Sequence, residues 1–358
     1  MADQRGFFDL DERYAALSKV GDPLERLLSV LDFEIFRSDL DAALNRSDGA
    51  KGARPAFDTV MMFKVLVLQA LYGLSDAQAE FQMLDRRSFG RFLGLDDGAR
   101  VPDETTIWRF REALVRAGAV DRLFERFDTH LKSEGYFAMG GQIVDASILA
   151  APRQRMTDAE REIVKAGGIP EGWEAQPAKL AQKDRDARWT LKRGRKKRRP
   201  DGSAMMEIAT PIFGYKSHIN VDQRFGFVRK WTVTDASRYD GRELAGLLDT
   251  DNTAMGVWAD TAYRSQKNEK AIRKADLTSK VHFRKPPGKP LKHQHQRANS
   301  ARSKIRSAVE HPFAEQKSRM GLFIRTIGLD RATAKVGMAN IAFNMKRLAF
   351  WERRVGVA

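Results

Sequence analysis

The sequence predicts a mixed α/β sheet with helices packed on it, preceded by a block of short helices. Residues 10–137 carry apolar side chains at helical spacing, interrupted by tight turns. From residue 140 onward, short apolar runs alternate with helical segments, the pattern of strands and the helices between them. The length of 358 residues exceeds one ordinary core, so two or three domains are expected.

Residues 1–48 form the first predicted domain, a helical packing or dimerisation element. Asp22-Pro23 supplies an N-cap and a first-turn proline. Leu24, Leu27 and Leu31 then recur at helical spacing, as they would on one buried helix face.

Residues 49–137 form the second predicted domain, several short helices of the helix-turn-helix kind. Helices are expected over 59–72, from Ser75 to about residue 84, over 88–93 and after Asp103. Arg109 and Arg111 lie on the outward face of the fourth of these helices. They are candidate DNA contacts, although packing between helices explains the same pattern.

Residues 138–358 form the third predicted domain, which contains the sheet. A strand-like apolar run over 140–148 is interrupted by Asp145, and another over 255–260 ends in Asp260. Between them, an alternating hairpin places Tyr215, Ser217 and Ile219 on one side and Lys216, His218 and Asn220 on the other. The other predicted elements are helices over 243–248, 264–274, 300–321 and 332–351, a strand over 280–283 and an irregular stretch over 284–299.

A basic insertion is predicted at 151–206, where apolar periodicity is lost. It is expected to be partly disordered, or ordered only on DNA. A run of charges is often a solvated surface, but one this basic is favoured by a phosphate partner. The candidate DNA contacts in it are Lys192, Arg193, Arg195, Lys196, Lys197, Arg198 and Arg199.

The charge balance indicates a polyanionic partner. Lys and Arg number 63 against 47 Asp and Glu, a net charge of +16. Because the basic residues recur along the chain, nucleic acid is favoured over a membrane surface. The chain has no cysteine, which excludes disulfides, thiolate zinc sites and a thiol nucleophile and fits a reducing cytoplasm. We expect no signal peptide and no membrane span.

Three acids form the candidate catalytic set: Asp145, Asp260 and Glu310. Considered singly, a strand-end aspartate can make a turn, and Glu310 with Arg306 and Lys317 can be a surface ion-pair ladder. Considered together, carboxylates on rigid elements suit Mg²⁺, and two such ions support in-line displacement at phosphorus. Arg306, Lys317 and His311 are candidate phosphate contacts. Pro312 predicts a helix kink just after Glu310.

Several ordered motifs resemble those of DDE transposases of bacterial insertion sequences, of the IS-five type within the IS-four-like superfamily. They are VPDETTIWRFRE, IVDAS, GYKSHINVD, VTDAS, WADTAY and RSAVEHPFAEQK, and the resemblance covers roughly residues 50–350. It implies an RNase H-like catalytic core whose metal-binding triad is Asp145, Asp260 and Glu310. Arg306, Glu310 and Lys317 match a Tyr-Arg-Glu-Lys signature, in which Ser303 replaces the tyrosine.

The resemblance implies a magnesium-dependent DNA transposase, with Mn²⁺ as a substitute ion. Such an enzyme binds terminal inverted repeats in double-stranded DNA, cleaves the ends and joins the 3′-hydroxyls to target DNA. Paired ends imply a homodimer, and a bacterial, nucleoid-associated location in the cytoplasm is expected. Two alternatives remain at this point: a metal-dependent endonuclease that never joins ends, and a transposase-derived DNA-binding regulator with an idle core.

Overall fold

The computed structural model describes residues 9–44, 56–96, 98–192, 196–198, 204–206 and 209–355. The chain divides into two compact units. The first comprises Met1–Phe137, Ser318–Gly321 and Gly337–Ala358, and the second comprises Ala138–Lys317 and Leu322–Val336.

Helices make up the secondary structure described in Met1–Phe137, and local sequence sets several of their ends. Asp58 caps one helix by accepting a hydrogen bond from the Met61 N–H at 2.9 Å. Ser75 and Gln78 form a reciprocal capping box at the next helix. The helices are α1 (Asp9–Val20), α2 (Pro23–Val30), α3 (Arg37–Leu44), α4 (Thr59–Tyr72), α5 (Asp76–Asp85), α6 (Arg87–Leu93), α7 (Glu104–Arg116) and α8 (Ala119–Ser133).

A cluster of phenylalanine rings forms part of the core of this unit. Phe33 and Phe36, on a short 3₁₀ helix, are at most 2% exposed. The Phe36 ring centroid lies 4.7 Å from that of Phe63 on α4, and Phe33 meets Phe92 on α6 edge-to-face at 5.5 Å. The segment that carries Phe33 and Phe36 therefore shares a core with α4 and α6.

No single helix in the described residues is long and apolar enough to cross a membrane. Helices α4 and α5 meet that test only as a pair, and they are bent by 102° at the turn between them. Most of α4 is buried within the structure, from Thr59 to Leu68 with the exception of Lys64.

The second unit is built on a mixed six-stranded sheet of order β2-β5-β1-β7-β8, with β6 also paired to β5. β1 pairs antiparallel with β5 and parallel with β7, and β7 pairs parallel with β8. The predicted mixed sheet is therefore confirmed. Together with a separate two-stranded ribbon, β3-β4, the strands are β1 (Gln142–Ala150), β2 (Arg188–Lys192), β3 (Lys196–Arg198), β4 (Ala204–Met206), β5 (Thr210–Asp222), β6 (Val228–Asp235), β7 (Gly256–Trp258) and β8 (Thr278–Ser279).

Helices accompany the sheet in this unit. Ser307–Val309 forms a 3₁₀ turn and Glu315–Arg319 a π-helical turn. Residues of the last helix from Gly337 onward belong to the first unit. The helices are α9 (Asp158–Lys165), α10 (Pro177–Ala181), α11 (Leu244–Leu247), α12 (Gln266–Lys274), α13 (His293–Arg306), α14 (Glu310–Ala314) and α15 (Leu329–Val355).

Each face of the sheet carries its own apolar core. On one face, Val144 packs in a cluster with Leu247 of α11 and Ile272 of α12. On the other, Tyr215 packs in a cluster with Ile324 and with Val336 of α15. Because successive strand residues point to opposite faces, Asp145 and its partner Ile219 share the face of Tyr215. The alternation predicted for this hairpin is the one that the structure shows.

Within residues 280–299, two predictions differ from the structure. The strand expected over 280–283 is replaced by the shorter β8, Thr278–Ser279. The stretch expected to be irregular contains the first half of α13, which begins at His293. Lys292 makes no side-chain cap there. A tertiary contact supports the first turn of α13 in place of a cap, because the ring of His295 stacks on that of Phe283 with 3.9 Å between the centroids.

The predicted insertion at 151–206 contains ordered elements where it is described. Helices α9 and α10 lie within it, as does β2, which extends the sheet beside β5. Trp189 on β2 contacts the ring of Phe213 at 5.4 Å, and the Arg153 guanidinium lies 5.7 Å from the Trp189 ring centroid. These contacts show Trp189 anchoring β2 to the sheet.

His218 is a buried titratable group in the centre of β5. It is fully buried, its Nε2 lies 2.9 Å from the Thr234 hydroxyl, and its Nδ1 has no partner in the described residues. Burial lowers the pKa of His218 to about 4, against a weaker opposing effect of Asp240 and Glu243.

We predict that His218 makes the stability of the protein fall in acid. The unfolded histidine binds a proton near pH 6.5, whereas the folded one does so near pH 4. The contribution of His218 to the free energy of unfolding is therefore fully present above pH 6.5, and it decreases by roughly 3 kcal/mol as the pH falls to 4. In His218→Asn this contribution is absent, so urea unfolding should show the largest deficit of the variant at pH 7 and a smaller one at pH 4.5. Equal deficits at both pH values would contradict the assignment.

Candidate active site

Asp145 and Asp260 lie level with each other on neighbouring parallel strands. In the pairing of β1 with β7, Ile143 stands opposite Trp258. Continuing that register by two residues places Asp145 opposite Asp260. Residues in register point to the same face, and neighbouring strands are about 4.8 Å apart. The fold therefore makes the two carboxylates close neighbours.

A backbone N–H group holds one oxygen of each carboxylate. Asp260 follows β7 and caps the 3₁₀ turn Thr261–Tyr263, where its Oδ1 accepts a hydrogen bond from the Ala262 N–H at 2.7 Å. Asp145 Oδ1 accepts from the Ala146 N–H at 2.8 Å. Both side chains are thereby fixed in orientation, that of Asp145 within β1 and that of Asp260 just after β7.

The environment of Asp145 disfavours its charge. The pKa of Asp145 is raised to about 6, chiefly by burial and to a smaller extent by the neighbouring Asp260 and Asp240. The Arg306 guanidinium and the Ala146 N–H act in the opposite direction. The site thus concentrates negative charge that a cation has to balance.

Arg306 is the cation that the structure places against Asp145. Its Nη1 lies 2.5 Å from Asp145 Oδ2, and its Nη2 lies 3.9 Å from Glu310 Oε1. Its Nε is buried without a partner in the described residues. The Asp145 side chain is 18% exposed and that of Glu310 is 70% exposed. Arg306 therefore links a sheltered aspartate to a glutamate that extends into solvent.

The segment that carries Glu310 is not one continuous helix. Helix α13 ends at Arg306, the chain tightens into a 3₁₀ turn, and Glu310 begins α14. Pro312 lies in the first turn of α14, where a missing N–H costs little. We predicted a kink just after Glu310, whereas the structure breaks the helix just before it and continues into a π turn after it.

Lys317 reaches β1 in spite of these irregular turns. Its Nζ donates to the Ser147 hydroxyl at 2.6 Å and to the Ile148 carbonyl at 2.7 Å. Ser147 is two residues beyond Asp145 and shares its face of the sheet. Lys317 therefore lies beside Asp145 along the strand, on the side where Arg306 also lies.

Three neighbours of the acids were not among the predicted site residues. Asp240 pairs with Lys216 at 2.8 Å and adds negative charge near Asp145. Tyr263 is fully buried, and its hydroxyl has no partner in the described residues. The His282 N–H donates to the carbonyl that precedes Asp260. Position in the WADTAY motif could have identified Tyr263, but no local pattern singles out the other two.

The two predicted DNA contacts on α7 differ in exposure and in ion pairing. Arg109 is exposed. Arg111 forms a bidentate pair with Asp76, with its two terminal nitrogens 2.6 and 2.7 Å from the carboxylate oxygens. The charge of Arg111 is therefore balanced within the helical unit. Near the acids, His311 is exposed on α14.

The predicted DNA contacts of the basic run fall mostly outside the described residues. Arg193, Arg195 and Arg199 are not among the described residues. Only the backbones of Lys192, Lys196, Lys197 and Arg198 are described, in β2 and in the β3-β4 ribbon.

The donors at this site fit a divalent metal ion in part. Asp145 and Asp260 offer adjacent carboxylate oxygens, the ligands that Mg²⁺ prefers. Their mutual repulsion and the guanidinium at Asp145 indicate a position suited to positive charge. In the described ranges, however, no group of three or more His, Asp or Glu side chains is close enough to hold a metal ion. The structure thus brings two of the three predicted acids together, and Glu310 stands apart beyond Arg306.

Comparisons with known proteins give two family matches. The model of the family described as transposase DDE domain matches residues 137–345, and that of a transposase domain (DUF772) matches residues 12–113. Among solved structures, the chain is similar to a piggyBac transposase in a cryo-EM structure of its synaptic complex with hairpin DNA. That similarity has a TM-score of 0.44 and 12% identity, and it covers 94% of this chain and 76% of the other.

We predict that Arg306→Gln raises the pKa of Asp145 above its value of about 6. An opposite charge at hydrogen-bond distance lowers a carboxyl pKa by roughly 1–3 units, and its removal should restore that amount. Carbon-13 NMR of labelled aspartate carboxyls would measure the titration, with Asp145→Asn to assign the signal. Arg297→Gln, an exposed position on α13, is the matched control. A titration unchanged in Arg306→Gln would show that Arg306 does not stabilise the carboxylate.

Proposed function

The chain belongs to the transposase DDE domain family, and from this premise we propose how this DNA transposase acts. It binds the terminal inverted repeats of a bacterial insertion sequence of the IS-five type. It hydrolyses a phosphodiester bond at each end to free a 3′-hydroxyl, and that hydroxyl then attacks a phosphodiester of target DNA. The catalytic sheet is of the RNase H-like kind, and the enzyme acts in the bacterial cytoplasm, at the nucleoid.

The observation that carries this proposal is the pair of aspartates on neighbouring strands, flanked by two basic side chains. Asp145 and Asp260 are level in the sheet, Arg306 contacts Asp145, and Lys317 contacts β1 two residues away. A pair of acids next to two bases has the charge pattern needed to hold a cation and a phosphate side by side.

Asp145 and Asp260 would hold the divalent cation, Mg²⁺ or Mn²⁺, with Glu310 as a third acid. A bound ion of this kind activates the attacking oxygen and stabilises the leaving oxygen in displacement at phosphorus. The backbone N–H bonds to both aspartates preorganise their oxygens for this task.

Arg306 and Lys317 bind phosphate oxygens of the DNA in this proposal. A guanidinium forms strong paired hydrogen bonds with phosphate. Phosphate therefore competes with Asp145 for Arg306, and its binding leaves Asp145 Oδ2 without its present partner. Glu310 follows Arg306 by four residues, and its Oε1 lies 3.9 Å from Arg306 Nη2. Movement of Arg306 toward the DNA would thus also remove the group that separates Glu310 from Asp145.

Two ends must be cut and joined together, so we propose a homodimer on paired ends. Residues 10–45 are the candidate for part of the interface. In the structure Val20, at the end of α1, is 89% exposed, which leaves an apolar side chain available on that segment.

We predict that Asp145→Asn, Asp260→Asn and Glu310→Gln each lower cleavage of end DNA at least about a hundred-fold, the cost of losing one preorganised stabilising group. Each substitution keeps the shape of the side chain and removes its charge. End-DNA binding, measured by gel shift without metal, should persist in all three. Glu315→Gln, which changes the next acid along the same segment, is the control and should cut normally. Undiminished cutting by any of the three variants would remove that acid from the site.

We predict that end DNA with a free 3′-hydroxyl becomes joined to a supercoiled plasmid in the presence of Mg²⁺. The product is a nicked or linear plasmid that carries the labelled end. Cutting without any joined product would identify the metal-dependent endonuclease. Binding with neither cutting nor joining would identify the DNA-binding regulator.

A further inference from the structure

The stretch before Glu310 concentrates much of the positive charge of the protein. Residues 277–309 contain nine Lys and Arg residues and no Asp or Glu, whereas the whole chain has a net charge of +16. A stretch of this length without an acid cannot neutralise itself, so its charges need partners elsewhere.

Two of the nine basic residues have partners within the unit. Arg302 donates to the Val281 carbonyl at 2.7 Å, and Arg306 binds Asp145. Six others are exposed, and in the described part of the chain none of them has an ion pair or a side-chain hydrogen bond. We call these six the basic tract: Arg284, Lys285, Lys289, Lys292, Arg297 and Lys304.

The basic tract is held in place by contacts around Phe283. The ring of His295 stacks on Phe283 at 3.9 Å, with 12° between the planes. Asn299 accepts from the Phe283 N–H at 2.8 Å and donates to its carbonyl at 3.0 Å. Arg264 and Arg302 lie 4.7 and 4.4 Å from the ring centroid. Both ends of the loop over 284–292 are therefore tied to one point, and its lysines are presented from a fixed base.

The spacing of the tract on α13 suits a regular polyanion. Arg297 and Lys304 are seven residues apart, about 10 Å along the helix axis. That distance is close to the axial rise of three nucleotides of one DNA strand, at about 3.4 Å each. Both residues lie on one open face of α13, which extends from His293 to Ile305.

We infer that the basic tract is a binding surface for the phosphate backbone of duplex DNA, beside the point of cleavage. The inference rests on the proposed function for the choice of DNA as the polyanion. Helix α13 leads from the tract to Arg306 and Glu310. A duplex that lies along the tract is therefore directed toward the acids. Contact is to phosphates, so the tract adds affinity for any sequence and no base preference.

The test compares two triple variants with the same change of charge. Lys285→Gln/Lys289→Gln/Lys292→Gln removes three charges of the basic tract. Lys267→Gln/Lys270→Gln/Lys274→Gln removes three exposed charges from α12 in the same unit and is the control. Fluorescence anisotropy would measure binding of each full-length protein to a duplex of arbitrary sequence, without divalent metal, over a series of NaCl concentrations.

Each lost phosphate contact lowers the slope of log K against log[salt] by about 0.9. The tract variant should lose up to about three such contacts, and the α12 variant should keep the wild-type slope. Lys285→Arg/Lys289→Arg/Lys292→Arg should also keep it, because the charge is retained. Equal losses in both Gln variants, or no loss in either, would overturn the inference. So would a tract variant that loses binding to anionic vesicles or to poly-glutamate while its DNA slope is unchanged.

These outcomes separate the inference from the proposed function. An unchanged slope in the tract variant, with normal cutting and joining by the wild type, rejects the tract alone. A reduced slope in a protein that neither cuts nor joins rejects the proposed function and leaves the tract as a DNA-binding surface.

Discussion

Two carboxylates side by side in a sheltered position repel each other, and a positive charge has to offset that repulsion. Asp145 and Asp260 meet this condition through the parallel pairing of β1 with β7. Arg306 offsets the repulsion, with its guanidinium 2.5 Å from Asp145. Burial nevertheless keeps the pKa of Asp145 raised, at about 6, and the two neighbouring aspartates add to this effect. Asp145 and Asp260 carry excess negative charge beside the long side chain of Arg306. Such a site is suited to exchange the guanidinium for a metal ion.

The mixed sheet explains why this arrangement is possible. Antiparallel pairing of β1 with β5 fixes which face Asp145 occupies, and parallel pairing with β7 brings Asp260 level with it. An apolar cluster lies on each face, whereas Asp145 stands within β1 and Asp260 just after β7. Lys317 and Arg306 approach the sheet from the face of Asp145. The side chain of His218 points to the opposite face, where Asp240 also lies.

Not all of the basic side chains behind the net charge of +16 are available to an external partner. Some arginines are committed to structure: Arg111 to Asp76, and Arg229 to Asp222 in a pair that is almost fully buried. Such charges are costly to separate from their partners and are poor candidates for DNA contact. The basic tract differs because the stretch around it contains no acid. Composition alone suggested a polyanionic partner, but the pattern of internal pairs shows which charges remain for it.

Local sequence determined the features that depend on near neighbours in the chain. Capping residues such as Asp58 and Ser75 located helix starts, and alternation located the β5-β6 hairpin. Sequence motifs also singled out Asp145, Asp260 and Glu310, whose roles remain predictions. Tertiary structure alone decided that Arg111 is neutralised, that His293 begins a helix and that Arg306 stands between Asp145 and Glu310. Each of these depends on a partner distant in the chain, and its energy comes from burial and charge pairing that no local pattern records.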